Sequence, residues 1–268
     1  MTRTSADPAG RFAIVELLRL QDEAAPRSRF AALIGLSPLT TASRPWFDAA
    51  VGEIEVGEAL STLGDGWFVL HALPVGVQGS HVDHVDHIAI GRRGVFIINT
   101  TNHAGQAVWA SQRAFVVSGI RHPFIRNMEY AMGRAERILG TAAGVPVQVN
   151  GILAVAAAKS ITVRDTHRDV TVLSIESLVQ WLGTRPVALT AEEAGAVARA
   201  AALESTWHTV GDPVGDRALL LGRFASLRRD VRRAGRLRAT WAAVLALLGA
   251  GAFAAVAYSI LASAPAAL

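Results

Sequence analysis

The sequence predicts an α/β or α+β domain of roughly two hundred residues, followed by one helix that crosses a membrane. Apolar runs of strand length come before segments of helical period, around one central buried strand, which indicates a sandwich of sheet and helices. A hydrophobic content of 51% excludes a mainly disordered chain. The last thirty residues, 239–268, carry no charged side chain, and a run of arginines precedes them.

The N-terminal half supplies helices first and strands second. Helical apolar spacing predicts two helices in a weakly ordered lead-in, residues 1–45, divided by Pro26 and closed by Pro38. An amphipathic helix follows and stops at Gly64 and Gly66, and alternating apolar runs then predict strands and two hairpins. The predicted elements are helices at 11–22, 28–36 and 52–63, strands at 67–73, 85–90 and 95–100, the last two joined through residues 91–94, and a second hairpin over 107–117.

The C-terminal half of the domain is predicted to contain helices on either side of a buried strand. A continuous apolar run predicts that strand, because parallel or central strands are covered on both faces. The predicted elements are a helix at 126–139, strands at 147–157 and 170–173, and helices at 176–182 and 192–203. We therefore divide the chain into the lead-in 1–45, an α/β domain 46–207, a hinge and arginine-rich stem 208–238, a membrane helix 239–263 and an outer tail 264–268.

The C-terminal apolar segment has the length of one bilayer crossing. Residues 241–262 are 22 uncharged residues, which rise about 33 Å as a helix and match a hydrocarbon core of roughly 30 Å. Trp241 and Tyr258 are suitable anchors at the two interfaces. An alanine-rich helix of a globular core is the alternative, but such a helix rarely exceeds about twenty residues without a polar face.

The stem next to this segment is strongly basic. Residues 223–238 hold seven arginines against the single acid Asp230. Basic flanks stay on the cytoplasmic side, so we expect a single-pass protein of the inner (plasma) membrane whose N-terminal domain is cytoplasmic. The N-terminus has no apolar run of signal-peptide length, so no cleaved leader is expected. The arginines are at positions 223, 228, 229, 232, 233, 236 and 238.

The distribution of charge along the chain also restricts the expected binding partners. Basic stretches bind anionic lipid head groups or nucleic acid, so the stem allows both. The rest of the chain carries 19 basic and 21 acidic residues, and such a nearly neutral domain disfavours binding to a phosphate backbone. We therefore expect membrane lipid as the partner of the helix and stem, and the sequence indicates no particular protein partner. The absence of cysteine excludes thiolate metal sites and thiol nucleophiles. Lys159 is the only lysine among 26 basic residues, a composition typical of a GC-rich bacterial genome.

Titratable side chains crowd together in one segment, HVDHVDHIAIGRRGVFIINTTNHAG, residues 81–105. Nitrogen and oxygen donors at this spacing suggest a metal site, and the alternative is a polar strand entry with solvated histidines. Strand alternation puts Asp86, Ile88 and Ile90 on one face and His87 on the other, which disfavours a site made of histidines alone. The five candidate ligands are His81, Asp83, His84, Asp86 and His87.

Three motifs in order resemble the nuclease-related domain family, NERD. They are GEIEVGEAL (52–60), GWFVLHALPVG (66–76) and DHIAIGRRGVFIINTTNHAG (86–105), and a weaker likeness continues through RHPFIRN (121–127) and the strand at 147–155. The resemblance covers roughly residues 45–205. It implies a restriction-endonuclease-like fold, which is a central mixed sheet flanked by helices.

The resemblance also assigns residues to a nuclease site. Glu53 matches the helix glutamate, Asp86 the first metal-binding carboxylate, and Asn99 and Thr101 the acid and the lysine of an acid-x-Lys pair. The carboxylates Glu53 and Asp86 would hold a divalent ion such as Mg²⁺, and the lysine would orient the attacking water. Asn99 offers only a neutral oxygen and Thr101 has no charge, so hydrolysis by the family mechanism is not expected. Lys159, near the end of a later strand, could supply the missing cation. The alternative is that Lys159 is an ordinary solvated lysine at a strand end.

Three hypotheses remain open at this point. The first is a membrane-tethered, catalytically degenerate nuclease-like module that binds or scaffolds. The second is a residual divalent-metal nuclease that uses Glu53 and Asp86, and the third is a protein whose arginine stem does the binding at a lipid surface.

Overall fold

The computed structural model describes residues 3–4, 7–78, 81–165, 169–207 and 217–263, with the backbone alone at 3–4, 77–78, 81–83 and 260–263. The chain forms two compact units. Unit 1 is Met1–Leu17 with Pro45–Val214, and unit 2 is Leu18–Arg44 with Gly215–Leu268. The predicted lead-in is thus divided between the units, and the predicted hinge at 211–215 and outer tail 264–268 lie outside the described residues.

Ten strands and seven α-helices are described in this part of the chain, with one 3₁₀ turn at Glu204–Trp207. The strands are β1 (Arg3–Thr4), β2 (Phe68–Gln78), β3 (His81–Gly91), β4 (Gly94–Asn102), β5 (Ala107–Ala110), β6 (Phe115–Val117), β7 (Ile120–His122), β8 (Val149–Ala156), β9 (Ser160–Val163) and β10 (Val170–Ser174). The helices are α1 (Arg11–Glu23), α2 (Arg29–Leu33), α3 (Arg44–Ser61), α4 (Phe124–Ala143), α5 (Ile175–Thr184), α6 (Ala191–Ala201) and α7 (Arg217–Ser263).

A six-stranded mixed sheet in the order β1-β2-β3-β4-β8-β10 forms the centre of unit 1. The pairs β2–β3 and β3–β4 are antiparallel, whereas β4–β8 and β8–β10 are parallel. Strand β8 is buried almost throughout, as expected for a strand covered on both faces. The predicted α/β class with a mixed sheet and flanking helices is confirmed.

Two apolar cores cover the two faces of this sheet. On one face, Val56 and Leu60 of α3 pack with Leu178 and Leu182 of α5 against Ile98 and neighbouring strand residues. On the other face, α4 and α6 pack with the second sheet against Ile88, Ile90 and Ile97. The alternation expected for β3 is confirmed at these positions, since Ile88 and Ile90 join one core and Ala89 joins the other.

A second sheet of four short strands, β7-β6-β5-β9, lies on the α4 side. The hairpin predicted over residues 107–117 is its β5–β6 pair. The sequence analysis missed β7 and β9 because these strands have three and four residues and mostly exposed side chains. Such short edge strands carry no apolar alternation, which is the signal that predicts strands.

Helix α3 starts eight residues before its predicted beginning at Gly52 and carries Glu53 to the sheet. Pro45 is tolerated there because a proline in the first turn removes no hydrogen bond that the helix needs. A Cβ added to Gly52 would lie 3.0 Å from the Thr100 methyl group, so the glycine allows a close approach of helix and strand. Asn102 Nδ2 also donates to the Asp48 carbonyl at 3.0 Å, which fixes the end of β4 to the start of α3.

In unit 2, α7 continues from the arginine stem into the apolar segment as one 47-residue helix. An 18-residue window of this helix has a mean hydropathy of 1.9, and none of that window is buried. Within the described residues, α7 is long and apolar enough to cross a membrane by length and composition. The predicted C-terminal span is therefore a candidate span in the structure.

Candidate functional site

Glu53 projects from α3 into the interior of unit 1. Its side chain is only 4% exposed, whereas Glu55 and Glu58 on the same helix are exposed. Burial, then the negative charge of Asp86, hold the pKa of Glu53 well above its usual range, although a hydrogen bond from the Gly10 backbone N–H opposes this. The Oε2 atom of Glu53 has no hydrogen-bond partner among the described residues.

Asp86 lies where β3 and β4 stop pairing. The last regular pair is His87 with Ile98. Beyond this pair, side-chain oxygens of Asp86 and Asn99 accept the backbone N–H groups that the ladder no longer pairs. The Thr100 N–H donates to Asp86 Oδ2 at 2.6 Å, and the Asp86 N–H donates to Asn99 Oδ1 at 3.3 Å. Burial raises the pKa of Asp86, while His84, 4.0 Å away, and the Thr100 hydrogen bond lower it. Asp86 and Asn99 thus bridge the two strand ends.

The position assigned to the lysine is filled by a small neutral side chain. Thr101 is 9% exposed, and its hydroxyl group has no hydrogen-bond partner among the described residues. Lys159 is exposed, and its backbone N–H donates to the Gln106 carbonyl in the connection that follows β4. The structure therefore brings Asp86 and Asn99 into contact and places Glu53 close enough to Asp86 for their charges to interact.

The N-terminal segment 7–12 covers this site within unit 1. The Gly10 N–H bonds the Glu53 carboxylate, and the Phe12 ring lies 4.5 Å from the His84 ring between centroids. A Cβ added to Gly57, one helical turn after Glu53, would lie only 2.7 Å from the Ala9 Cβ, so this segment packs tightly on α3. The carboxyl groups of Glu53 and Asp86 consequently have almost no contact with solvent.

A buried histidine pair lies next to α3, where a Cβ added to Gly57 would lie 3.7 Å from His71 Cε1 and 3.8 Å from His87 Cε1. His71 Nδ1 and His87 Nδ1 are 2.8 Å apart, so one ring donates and the other accepts. His87 is fully buried, and its Nε2 has no partner among the described residues. Burial lowers the pKa of His71 to about 4, and burial together with the nearby His71 lowers the pKa of His87 well below its usual value. Both rings are therefore neutral near pH 7.

The sequence analysis missed His71 and Gly10 as neighbours of the site. His71 lies in a predicted strand, and its pairing with His87 depends on the register of β2 and β3. Beyond this pair, Ala72 has a φ of 53°, and the ladder shifts between Pro74 and Gly76. No residue pattern in the sequence specifies that irregularity. Gly10 contributes only a backbone N–H, which no motif reveals.

The residues at this site do not make a complete set of ligands for a divalent ion. Within the described part of the chain, no group of three or more His, Cys, Asp or Glu side chains could hold a metal ion. Asn99 Oδ1 already accepts from the Asp86 N–H, so Glu53 and Asp86 are the two charged groups of the assigned site that could ligate a divalent ion. His87 pairs with His71 instead of with His84, and the side chains of His81 and Asp83 lie outside the described residues.

Comparisons with known proteins agree with the motifs. Residues 48–155 match the family model of the nuclease-related domain, NERD. An uncharacterized protein of Bacillus anthracis is 29% identical over 108 residues, which are 37% of this chain and 51% of that protein. The chain thus spans about half the length of the relative that it matches. No solved structure matches the chain.

The histidine pair predicts a loss of stability in acid. Unfolding restores pKa values near 6.5, so the unfolded chain binds more protons than the folded one between pH 6.5 and about 4. Each histidine should lower the free energy of unfolding by up to about 1.4 kcal/mol per pH unit as the pH falls through this window. The carboxyl pair acts in the opposite direction, because a raised pKa gives stability that is lost as the pH rises.

Comparing the pH dependence of the free energy of unfolding between variants isolates the contribution of the two histidines. In denaturant titrations at several pH values, the double variant His71→Gln/His87→Gln should lose this acid-side slope. The matched control His122→Gln, on the second sheet, should keep it. An unchanged slope in the double variant would show that the pair is protonated in the folded state.

Proposed function

From the match of residues 48–155 to the nuclease-related domain, we propose that this protein is a membrane-anchored, catalytically degenerate nuclease-like module. It binds or scaffolds at the cytoplasmic face of the plasma membrane, and α7 is its anchor.

The observation that carries the proposal is the burial of the two carboxyl groups. A nuclease must bring a phosphodiester to its metal and its attacking water. Here Glu53 and Asp86 are 4% and 7% exposed and lie below the segment 7–12. The Asn99 and Thr101 side chains add no charge that would stabilise a pentavalent phosphate, whereas preorganised charge is usually the largest catalytic contribution. These features favour a structural role for the former catalytic positions.

One observation favours the second candidate, a residual divalent-metal nuclease. Glu53 Oε2 lacks a hydrogen-bond partner among the described residues and belongs to a carboxyl group whose charge interacts with that of Asp86. A buried oxygen without a partner is unusual, and a bound cation is one way to satisfy it. We rank this candidate second because two carboxyl groups without a lysine lack the cation that would face the attacked phosphate.

The proposed membrane location follows from the charge and hydropathy of α7. The candidate span is uncharged, and the stem before it carries seven arginines and one aspartate. Arginines next to a span favour the cytoplasmic side and attract anionic lipid head groups. The nearly neutral remainder of the chain disfavours nucleic acid as the principal partner.

The catalytic proposal predicts no nuclease activity. The full-length protein, purified in detergent, should cleave neither DNA nor RNA with Mg²⁺ or Mn²⁺ above the rate of its Asp86→Asn variant. Loss of one preorganised donor commonly costs about a hundredfold to a thousandfold in rate, so two missing groups should bring hydrolysis to background. Fluorescent single- and double-stranded substrates provide the measurement.

A gain-of-function variant tests whether the rest of the site survives. Asn99→Glu/Thr101→Lys supplies the two missing groups and should raise cleavage above background if the surrounding frame is retained. Adding Asp86→Ala to that variant should abolish the gain, and circular dichroism checks that each variant is folded. Robust metal-dependent cleavage by the unmodified protein, lost in Asp86→Asn, would replace the proposal with the second candidate.

Orientation gives a separate prediction. In a bacterial host, protease added outside spheroplasts should remove a reporter fused to the C-terminus and leave residues 1–216 intact. Neutralising the four arginines nearest the span should raise the fraction of domain that is digested, because basic residues within about 15 to 20 positions of a span set its orientation. Those substitutions are Arg232→Gln, Arg233→Gln, Arg236→Gln and Arg238→Gln.

The control removes the same charge away from the span, at four exposed arginines of unit 1: Arg92→Gln, Arg113→Gln, Arg126→Gln and Arg137→Gln. Equal digestion in the two variants would contradict the role of the stem. Digestion of the unmodified domain from outside would reverse the proposed orientation.

A further inference from the structure

Unit 2 carries three large apolar side chains that face solvent on and just after α2. Phe30, Leu33 and Leu36 are 69%, 61% and 50% exposed. Phe30 and Leu33 are three residues apart on α2 and so share one side of the helix, and Leu36 follows the turn at Gly35. Scattered exposed apolar residues are ordinary, but a contiguous set indicates a surface that meets another apolar phase.

Backbone contacts hold this segment against α7. The Trp241 indole N–H donates to the Leu33 carbonyl at 3.0 Å, which satisfies a carbonyl at the end of α2. Gly35 has a φ of +79°, and a Cβ there would lie 2.7 Å from the Arg238 N and 2.8 Å from the Ala234 O. Only glycine allows so close a contact with the α7 backbone at this φ. The three contact residues on α7 are spaced four and three apart and so lie on one stripe.

These contacts fix the level of α2 along α7. Trp241 is the first residue of the uncharged segment, and its amphipathic ring is typical of a membrane interface. From Gly35 back to Leu33 the contacts move along α7 from Ala234 and Arg238 to Trp241, that is, toward the span. Leu33 therefore lies level with the start of the uncharged segment of α7, and Phe30 precedes it on the same helix.

The charges around α2 agree with a lipid surface. Between residues 24 and 43 the only charged side chains are Arg27 and Arg29, and both are basic. On α7, Arg236 and Arg238 lie about 8 Å and 5 Å before Trp241, within one Debye length of the head groups. Apolar side chains beside arginines are the composition of interfacial membrane-binding segments.

We propose that α2 is a second membrane contact, which inserts Phe30, Leu33 and Leu36 into the interfacial layer beside α7. The occupant of this apolar surface is the bilayer in which α7 is anchored, so the inference rests on the proposed anchoring. Unit 2 is thereby held at the membrane by two adjacent elements, α2 and α7, instead of by α7 alone.

Spin labels test this arrangement directly, because the chain contains no cysteine that would react elsewhere. Single variants Phe30→Cys, Leu33→Cys, Leu219→Cys and Leu248→Cys of the full-length protein are labelled and reconstituted into vesicles of phosphatidylcholine and phosphatidylglycerol. Electron paramagnetic resonance then compares collisions of each label with dissolved oxygen, which concentrates in lipid, and with a polar nickel complex, which does not. All four unmodified side chains are at least 61% exposed, so labels are accommodated.

The proposal predicts that the labels at 30, 33 and 248 favour oxygen, whereas the label at 219, about 33 Å before Trp241 along α7, favours the nickel complex. Labels at 30 and 33 in water with the label at 248 in lipid would overturn this inference alone. A label at 248 in water would overturn the anchoring by α7 and the inference together.

A second variant tests the docking of α2. Gly35→Val, added to the Phe30 label, introduces a Cβ into the Ala234 and Arg238 backbone and should move the label at 30 into water while a label at 248 stays in lipid. Retention of the label at 30 in lipid would overturn the claim that contact with α7 holds α2 at the membrane.

Discussion

The burial of two interacting carboxyl groups, Glu53 and Asp86, is the constraint on which the rest of unit 1 depends. Two negative charges in a dry interior repel each other and lose their hydration, so the protein must neutralise or bond them. Here α3 brings Glu53 to the sheet, the Gly10 N–H and the Thr100 N–H each bond one carboxylate, and burial raises both pKa values. Burial and, for Glu53, the nearby charge of Asp86 thus favour the protonated form of these carboxyl groups.

This constraint explains several neighbouring features. Gly52 lets α3 approach the sheet closely, and Gly57 lets it approach the N-terminal segment 7–12. The amide oxygen of Asn99 accepts a hydrogen bond from the Asp86 N–H. The His71 and His87 rings, both neutral near pH 7, add no positive charge to the interior of unit 1. Among the described residues, the burial of Glu53 and Asp86 supports the proposal that these positions fix α3 on the sheet.

The sequence predicted the parts of this structure that follow from periodic burial. The strands β3, β4 and β8 and the C-terminal span were predictable because long apolar or alternating runs produce them. The resemblance to the nuclease-related domain implied that Glu53 and Asp86 share a site, and the structure places these charges close enough to interact. Helical period did not reveal the burial of Glu53, because the exposed Glu55 and Glu58 lie on the same helix. Nor could local pattern reveal the His71–His87 contact or the cover of residues 7–12, which depend on strand register and on long-range backbone contacts.

The proposed degenerate site is tested most directly at Glu53 and Asp86, which we propose hold a proton instead of a metal ion. Carbon-13 NMR of the side-chain carboxyl groups, in full-length protein labelled at Glu and Asp, measures this directly, with Glu53→Gln and Asp86→Asn assigning the two signals. The account predicts that the Glu53 carboxyl titrates well above the ordinary range of glutamate and that millimolar Mg²⁺ leaves its titration unchanged. Two carboxylates that are both ionised near pH 5, or a Glu53 pKa that falls when Mg²⁺ is added, would contradict it.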